Sequence, residues 1–392
     1  MVSPRHSVTD TVPRRVVLLG ATGSIGRQCC DVIERFPERF RLVGAVAGSD
    51  ADGLAAIVDR LRVDRAALMT PSPGRRLPAG MHAGGDAVAA IAAMECDVVC
   101  VAIPGAAALA PTLAALDAGR TIATATKEVL VMAGELVKER AAAAGARILP
   151  VDSEHSALWQ CLRGEQADSI RRLVLTASGG PFRERDTATF GHITVEEALR
   201  HPTWNMGPKV TIDSATMMNK GLEVIEAHFL FDVPYSSIDV VIHPRSIVHS
   251  FVEFVDGAVM AQLGVPDMRV PIALAIADGV RLPGIAPAVQ LTSVSPLEFF
   301  EADARRFPAV ALARSAGETG GVAPAALNAA NEVAVAAFLA GRIGYDGIVP
   351  VVAATVSAAP SVVTPSLTDI LETDRWARAF ATARLDTVAS PA

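Results

Sequence analysis

The sequence is poor in the residues that mark several specialised classes. It has five cysteines in 392 residues, at positions 29, 30, 96, 100 and 161. The odd count and irregular spacing fit neither a disulfide framework nor a zinc site, and they point to reduced thiols in a cytoplasm. Aromatics are only 5% of the chain, so its core must rely on aliphatic contacts. Lys and Arg number 35 against 42 Asp and Glu, for a formal net charge of -7. That balance lacks the basic excess that would neutralise a nucleic-acid backbone, although a local cluster of cations can still hold a small anion. There is no long apolar run. The most apolar region, Ala87 to Gly119, is interrupted by Glu95, Asp97, Pro104 and Pro111, whereas a spanning helix needs about 20 mostly apolar residues. Met1 to Arg15 are polar, carry several Arg and have no apolar stretch, so they read as a disordered lead-in and not as a secretory signal.

What is present suits a large soluble enzyme. Hydrophobic residues make up 51% of the chain, and the length predicts two or three domains. Val16 to Leu19 reads as a strand leading into Gly20-Ala-Thr-Gly23-Ser-Ile-Gly26. A helical pattern follows to about Arg35, then a strand over Arg41 to Ala47. This is a βαβ unit. Further strands are expected at 97–103, 121–125 and 147–151, separated by Ala-rich helical segments. Residues 1–150 therefore read as a Rossmann-like, doubly wound parallel sheet. After Pro150 the composition becomes more polar. Strands of a second sheet are expected at 173–176, 240–243, 247–255 and 258–263, with Asp256-Gly257 as a hairpin turn. This is the pattern of an α+β domain over 151–280. A Pro-rich linker over 281–307 and a helical domain over 308–392 complete an α/β chain.

Two regions carry chemistry. The glycines at 20, 23 and 26 lie between strand and helix, where small residues let backbone approach a pyrophosphate at the helix N-terminus. The second strand ends in Gly48-Ser49-Asp50, near where a ribose hydroxyl or 2′-phosphate is read. These residues leave NAD and NADP open. The other region begins at Val151-Asp152-Ser153-Glu154-His155. In an extended segment residues two apart point the same way, so Asp152 and Glu154 can share one ligand. Asp213 to Glu223 is a second dense polar segment, and Glu223 completes an oxygen-rich set suited to Mg²⁺ or Mn²⁺ rather than zinc. Ser178, Ser214, Asn219 and Lys220 offer hydroxyls, an amide and a cation for a phosphate monoester. His201-Pro-Thr-Trp204-Asn-Met206-Gly-Pro208 has the make-up of a shaped loop that closes over a ligand.

With these motifs in view, the chain resembles the 1-deoxy-D-xylulose 5-phosphate reductoisomerase family. The resemblance lies in GATGSIG (20–26), KE (127–128), PVDSEH (150–155), TASGGPFR (176–183), HPTWNMGPKVTIDSATMMNKGLE (201–223), HPRSIVHS (243–250), LGVPDMR (263–269) and LNAANEVAVAAF (327–338). It implies an NADPH domain, a catalytic and dimerisation domain, a linker and a C-terminal helical domain. It also implies rearrangement and reduction of 1-deoxy-D-xylulose 5-phosphate to 2-C-methyl-D-erythritol 4-phosphate, the first committed step of the methylerythritol phosphate route to isoprenoids. Its metal would be a Lewis acid chelating substrate oxygens.

By the same resemblance, Thr22, Gly23, Ser24, Ile25, Gly48, Ser49, Asp50, Thr126, Glu128 and Gly207 face the cofactor. Asp152, Glu154 and Glu223 match the metal ligands. Lys127, Ser153, Glu154, Ser178, His201, Trp204, Ser214, Asn219, Lys220, Glu223 and His249 match substrate positions, and Lys127, Asp152, Glu154 and Glu223 are the catalytic group. The chain departs from the family pattern at Ser49-Asp50, at Thr126-Lys127-Glu128-Val129 and at Ser156. A homodimer is implied, with no membrane or nucleic-acid partner. Two other readings compete. One is an NAD(P)-dependent dehydrogenase of another small phosphorylated or semialdehyde substrate. The other is a dinucleotide-sensing binding module.

Overall fold

The computed structural model describes residues 12–71, 80–204 and 206–385. Residues 1–11 of the expected lead-in, Asn205 of the loop and residues 386–392 of the helical region lie outside the described residues. Arg14 and Arg15, expected in the lead-in, instead open the first strand.

Seven parallel strands form the first sheet: β1 (Arg14–Leu19), β2 (Phe40–Ala47), β3 (Arg65–Leu68), β4 (Met81–Ala83), β5 (Val98–Val101), β6 (Ile122–Thr124) and β7 (Ile148–Pro150). Their order is β4-β3-β2-β1-β5-β6-β7, so the winding reverses between β1 and β5. The central strands are continuous aliphatic runs because both faces of a parallel sheet are covered. One face is packed by α1 (Ser24–Arg35) and α2 (Ala51–Leu61); the other by α3 (Gly85–Ala92), α4 (Leu109–Asp117) and α5 (Lys127–Ala144). This is the doubly wound arrangement expected from sequence. The strands β3 and β4 were not foreseen.

The second sheet has the order β11-β10-β8-β9-β12. Its strands are β8 (Ile170–Ala177), β9 (Ile238–Ile242), β10 (Val248–Phe254), β11 (Val259–Leu263) and β12 (Phe300–Glu301). All pairings are antiparallel except β8 with β9. The β10–β11 hairpin turns at Asp256-Gly257 as expected, and Gly257 has φ +87°. Between the two sheets runs α6 (Ser153–Cys161). The chain between β8 and β9 supplies α7 (Val195–Ala198), α8 (Pro208–Ala215) and α9 (Met218–Phe231).

After β11 comes α10 (Arg269–Ile276). Its Ile272, Ala273 and Ile276 are buried in the same core as α1, on the first sheet. The chain thus returns to the first sheet before the 281–307 stretch. The linker stretch is not wholly irregular: it contains α11 (Leu291–Val294) and β12, which extends the second sheet beyond β9. The remaining helices are α12 (Pro308–Thr319), α13 (Ala323–Leu339), α14 (Ile348–Ser357) and α15 (Leu367–Leu385). Ala309, Ala313, Leu327, Ala330 and Ala334 join Leu222 and Ile225 of α9 in one core. Small residues at these positions let helices pack closely, which explains a well-filled interior with few aromatics.

Candidate active site

The glycine loop sits where the sheet winding reverses, the place at which open α/β sheets bind ligands. Gly20 has φ +95°, and a Cβ there would lie 2.4 Å from the Ala102 carbonyl oxygen. A Cβ at Gly26 would lie 2.2 Å from the Gly20 carbonyl oxygen. Both positions therefore require glycine, one for the turn and one for the close seat of α1 on the loop. Gly23 is the N-cap of α1 and carries no side chain to occupy the free amides, which leaves them open to an anion.

A cavity of about 710 Å³ runs from this helix to the second sheet. Ser24 and Ile25 line the end at the glycine loop. Asp152, Ser153, Glu154 and Glu223 line its centre, with Lys127, Asn219 and Lys220. Ser178, His201, Trp204, Ser214 and His249 line the remainder. All substrate and metal positions named from sequence thus converge on one space. Of the cofactor positions, Gly207 joins Ser24 and Ile25 there. Thr22 and Gly23 lie on the loop beside it. Gly48, Ser49 and Asp50 lie at the end of β2, outside the cavity lining. Asp50 is the N-cap of α2 and accepts a hydrogen bond from the Gly53 amide at 2.9 Å. Its carboxylate is therefore already used locally. Thr126 is buried, its hydroxyl donating to the Ile103 carbonyl at 2.7 Å. Glu128 is buried and bound to Lys209 at 2.8 Å.

The acidic pair does not sit on an extended segment as expected. Asp152 is the extended N-cap of α6, and Glu154 is in that helix's first turn. The two carboxylates still converge, and with Glu223 they offer oxygens within 4.8 Å of one another. Glu223 arrives from α9 because of an unusual turn. Met217, with φ +61°, separates α8 from α9. A non-glycine residue in that conformation costs about 1–3 kcal/mol. The turn lets Ser214 at the end of one helix and Asn219 and Lys220 at the start of the next line the same cavity.

Two ammonium groups hold the three carboxylates. Lys127 Nζ lies 2.5 Å from Asp152 and 3.0 Å from Glu223, and donates to Asn219 Oδ1 at 2.9 Å. Lys220 Nζ lies 2.8 Å from Glu154 and also pairs with Glu223. Burial opposes the charge on Lys127, but Asp152 and Glu223 outweigh it and keep its pKa well above the ordinary lysine value. Burial would also raise Glu154, yet Lys220 and a hydrogen bond from Ser153 hold it at about 2. Glu223 goes the other way. Burial and the neighbouring Glu154 push it up to about 7 against the pull of both lysines. Three carboxylates against two lysines leave the cluster short of positive charge. An all-oxygen donor set of this kind fits a hard divalent cation.

Beneath the three carboxylates lies a pair that sequence reasoning missed. His155 and Glu226 are both fully buried, with Nδ1 of the ring 3.3 Å from the carboxylate. His155 Nε2 lies 2.9 Å from the Glu223 carbonyl oxygen. The available signal was Glu223-Val-Ile-Glu226, two acids one turn apart and so on one face of the helix. Ser246, Met206 and Pro266 to Arg269 also line the cavity and were not singled out. All six lie inside quoted segments: Met206 in 201–223, Ser246 in HPRSIVHS, and Pro266 to Arg269 in LGVPDMR.

The 201–208 segment is rooted at its start by His201. Nδ1 of that ring accepts from the amides of Thr203 at 3.2 Å and Trp204 at 2.9 Å. Nε2 must then carry the proton, and it donates to Ser178 Oγ at 3.0 Å. Burial lowers the His201 pKa to about 4, which keeps this neutral form at neutral pH. Trp204 leans on His249, with ring centroids 6.1 Å apart.

Comparison with known proteins identifies the family. Family models described as 1-deoxy-D-xylulose 5-phosphate reductoisomerase match residues 16–134, and its C-terminal domain models match 148–231 and 263–380. A 1-deoxy-D-xylulose 5-phosphate reductoisomerase from Pelotomaculum thermopropionicum is 49% identical over 93% of this chain and 97% of its own. One from Kitasatospora griseola is 49% identical over 93% of this chain and 98% of its own. The solved Zymomonas mobilis enzyme in complex with NADPH superposes with a TM-score of 0.88 at 41% identity, covering 96% of this chain and all of that one. A DOX-P reductoisomerase complex with NADPH, fosmidomycin and magnesium gives a TM-score of 0.90 at 40% identity, over 95% and 98% of the two chains. With every family-model segment and whole-length relatives in agreement, the chain belongs to the 1-deoxy-D-xylulose 5-phosphate reductoisomerase family.

Proposed function

We infer that this chain converts 1-deoxy-D-xylulose 5-phosphate to 2-C-methyl-D-erythritol 4-phosphate, with NADPH as reductant and a divalent cation as cofactor. It is a metal-dependent oxidoreductase of isoprenoid biosynthesis. The observation that carries this reading is the meeting, in one cavity, of three carboxylates, a group of phosphate-competent side chains and the N-terminus of the glycine-loop helix. The other dehydrogenase reading accounts for the first sheet alone. It leaves the carboxylate and serine cluster without a use.

Asp152, Glu154 and Glu223 are the residues we assign to the cation, magnesium or manganese. When bound, it supplies Lewis acidity toward the ketone and hydroxyl oxygens of the substrate. The protein's own groups do the rest of the positioning. Ser178, Ser214, Asn219 and Lys220 hold the phosphate, remote from the reacting carbons, so that its binding energy orients them. Lys127 stands among the carboxylates and places a fixed positive charge where oxyanion charge develops. Ser24, Ile25 and Gly207 belong to the cofactor's side, and NADPH supplies the hydride. Thr22, Gly23, Gly48, Ser49, Asp50, Thr126 and Glu128 are assigned to that side with it; for Asp50, Thr126 and Glu128 the side chains are already hydrogen-bonded, which favours a role through backbone. Trp204, with His249 behind it, closes the space and excludes water.

We assign residues 1–150, 151–280, 281–307 and 308–392 to the dinucleotide, catalytic, linker and helical parts. A homodimer through the second sheet is supported by the exposed apolar residues Val259 and Met260 of its edge strand β11 and Val255 in the turn before it, since an open apolar edge of this kind invites pairing. Light scattering on β11 charge variants tests it. The five cysteines are free and buried, and among the described residues no helix is long and apolar enough to cross a membrane. Both facts suit a cytoplasmic enzyme. The test of function is product identity: NADPH consumption must be matched by a branched carbon skeleton. Reduction without rearrangement would favour the other dehydrogenase.

A further inference from the structure

The site's two approaches are tied together from behind by a residue outside the cavity. Lys209 follows the 201–207 segment, in the first turn of α8. Its ammonium lies 2.8 Å from Glu128 of α5 and 2.8 Å from Asp213, one turn along α8. Asp213 Oδ1 in turn accepts from Asn331 Nδ2 of α13 at 2.7 Å. Glu128, Asp213 and Asn331 are 6%, 1% and 0% exposed. Burial opposes the charge on Lys209, but the two carboxylates overcome it and raise its pKa.

The sequence neighbours of these residues give the network its meaning. Lys127, next to Glu128, faces Asp152 and Glu223. Ser214, next to Asp213, lines the cavity. Consecutive residues of a helix point about 100° apart, so one of each pair faces the cavity and the other faces away. Lys209 joins the two that face away. The three helices come from distant parts of the chain, and buried charged hydrogen bonds fix their geometry more stiffly than apolar contacts do.

We propose that Lys209 is a positioning residue: through Glu128 and Asp213 it sets the spacing between Lys127 and Ser214, and it anchors the C-terminal root of the 201–207 segment opposite His201. The proposal rests on the reaction assigned above, and the parent protein's turnover in the same assay separates failure of that assignment from failure of this one.

The test measures kcat, both KM values and thermal unfolding for three variants of the full-length protein. Lys209→Met leaves two buried carboxylates unpaired, so its stability falls. The triple variant Lys209→Met, Glu128→Gln, Asp213→Asn removes those charges and restores stability. The expected result is a kcat at least 10-fold below the parent in both; for Lys209→Met, which changes no residue assigned to the cofactor, the KM for NADPH stays within 2-fold. Glu128→Asp keeps every charge and shortens one arm by a methylene. It is expected to unfold at the parent's temperature with a 3- to 10-fold lower kcat. A triple variant that recovers both stability and kcat makes Lys209 a structural cation only and overturns the proposal. Should the first two variants fail to fold, Glu128→Asp decides alone, and an unchanged kcat overturns it.

Discussion

Lys127 Nζ and Glu223 Oε1, 96 positions apart in sequence, lie 3.0 Å from each other across the junction of α5 and α9. This pair joins the first-sheet half of the chain to the carboxylate cluster, where Glu223 is one of the three residues we assign to the cation. Glu223→Gln keeps the shape and removes the charge. Several kcal/mol of transition-state stabilisation are at stake in such a site, so kcat is expected to fall roughly 100- to 1,000-fold at saturating cation and NADPH. Near-parental turnover would remove Glu223 from the ligand set.

The phosphate assignment predicts a different signature. On that assignment Ser214 donates to a remote group and not to the reacting carbons. Replacing it by Ala removes one hydrogen bond to a charged group, worth about 1.5–3 kcal/mol. Turnover measured against substrate concentration is expected to show KM raised roughly 10- to 100-fold, with NADPH affinity unchanged. A drop confined to kcat would place Ser214 at the reacting end instead.

His201 gives a pH prediction. Its pKa is lowered to about 4 by burial, against an ordinary 6.5. Between these values the unfolded chain binds the proton more than the folded one does, so stability rises with pH through this window. The contribution is complete above about pH 6.5 and is lost as pH falls toward 4. Protonation of Nδ1 also breaks the bonds to the Thr203 and Trp204 amides. An NMR titration of the imidazole, identified with a His201→Asn variant, is expected to show a midpoint well below 6. A midpoint at 6.5 would mean that the loop root is open in solution.

Gly20 is the most constrained glycine of the nucleotide loop. Gly20→Ala meets both a positive φ and a carbonyl oxygen 2.4 Å from the new Cβ. The backbone strain alone costs about 1–3 kcal/mol, and the clash adds to it. Denaturant unfolding should show that loss together with weaker NADPH binding. A variant as stable as the parent would contradict the loop geometry.

Much of this site was legible because its residues are contiguous in the chain. His201 to Glu223 supplies the loop, three of the side chains we assign to the phosphate and the third carboxylate in one run, and the long aliphatic strands β1 and β2 announce themselves by composition. The strands β3, β4 and β12 were missed for a physical reason. Arg65–Leu68, Met81–Ala83 and Phe300–Glu301 are two to four residues long and weak in β-branched residues, so it is pairing with an existing sheet edge that makes them strands. Asp152 and Glu154 were read as extended because a pair two apart fits a strand, whereas the helix α6 starts between them. Glu226 and Lys209 escaped notice because their roles lie in contacts with distant helices. Neither has a local pattern that states its partner.

A divalent cation at Asp152, Glu154 and Glu223 in an NADPH-dependent rearrangement is the centre of the proposed mechanism. The most direct measurement is NADPH oxidation by the full-length protein with 1-deoxy-D-xylulose 5-phosphate, before and after chelation and on adding back magnesium or manganese. The account predicts turnover that a chelator abolishes and either cation restores, with Glu223→Gln unrestored. Full turnover in the presence of chelator would contradict it.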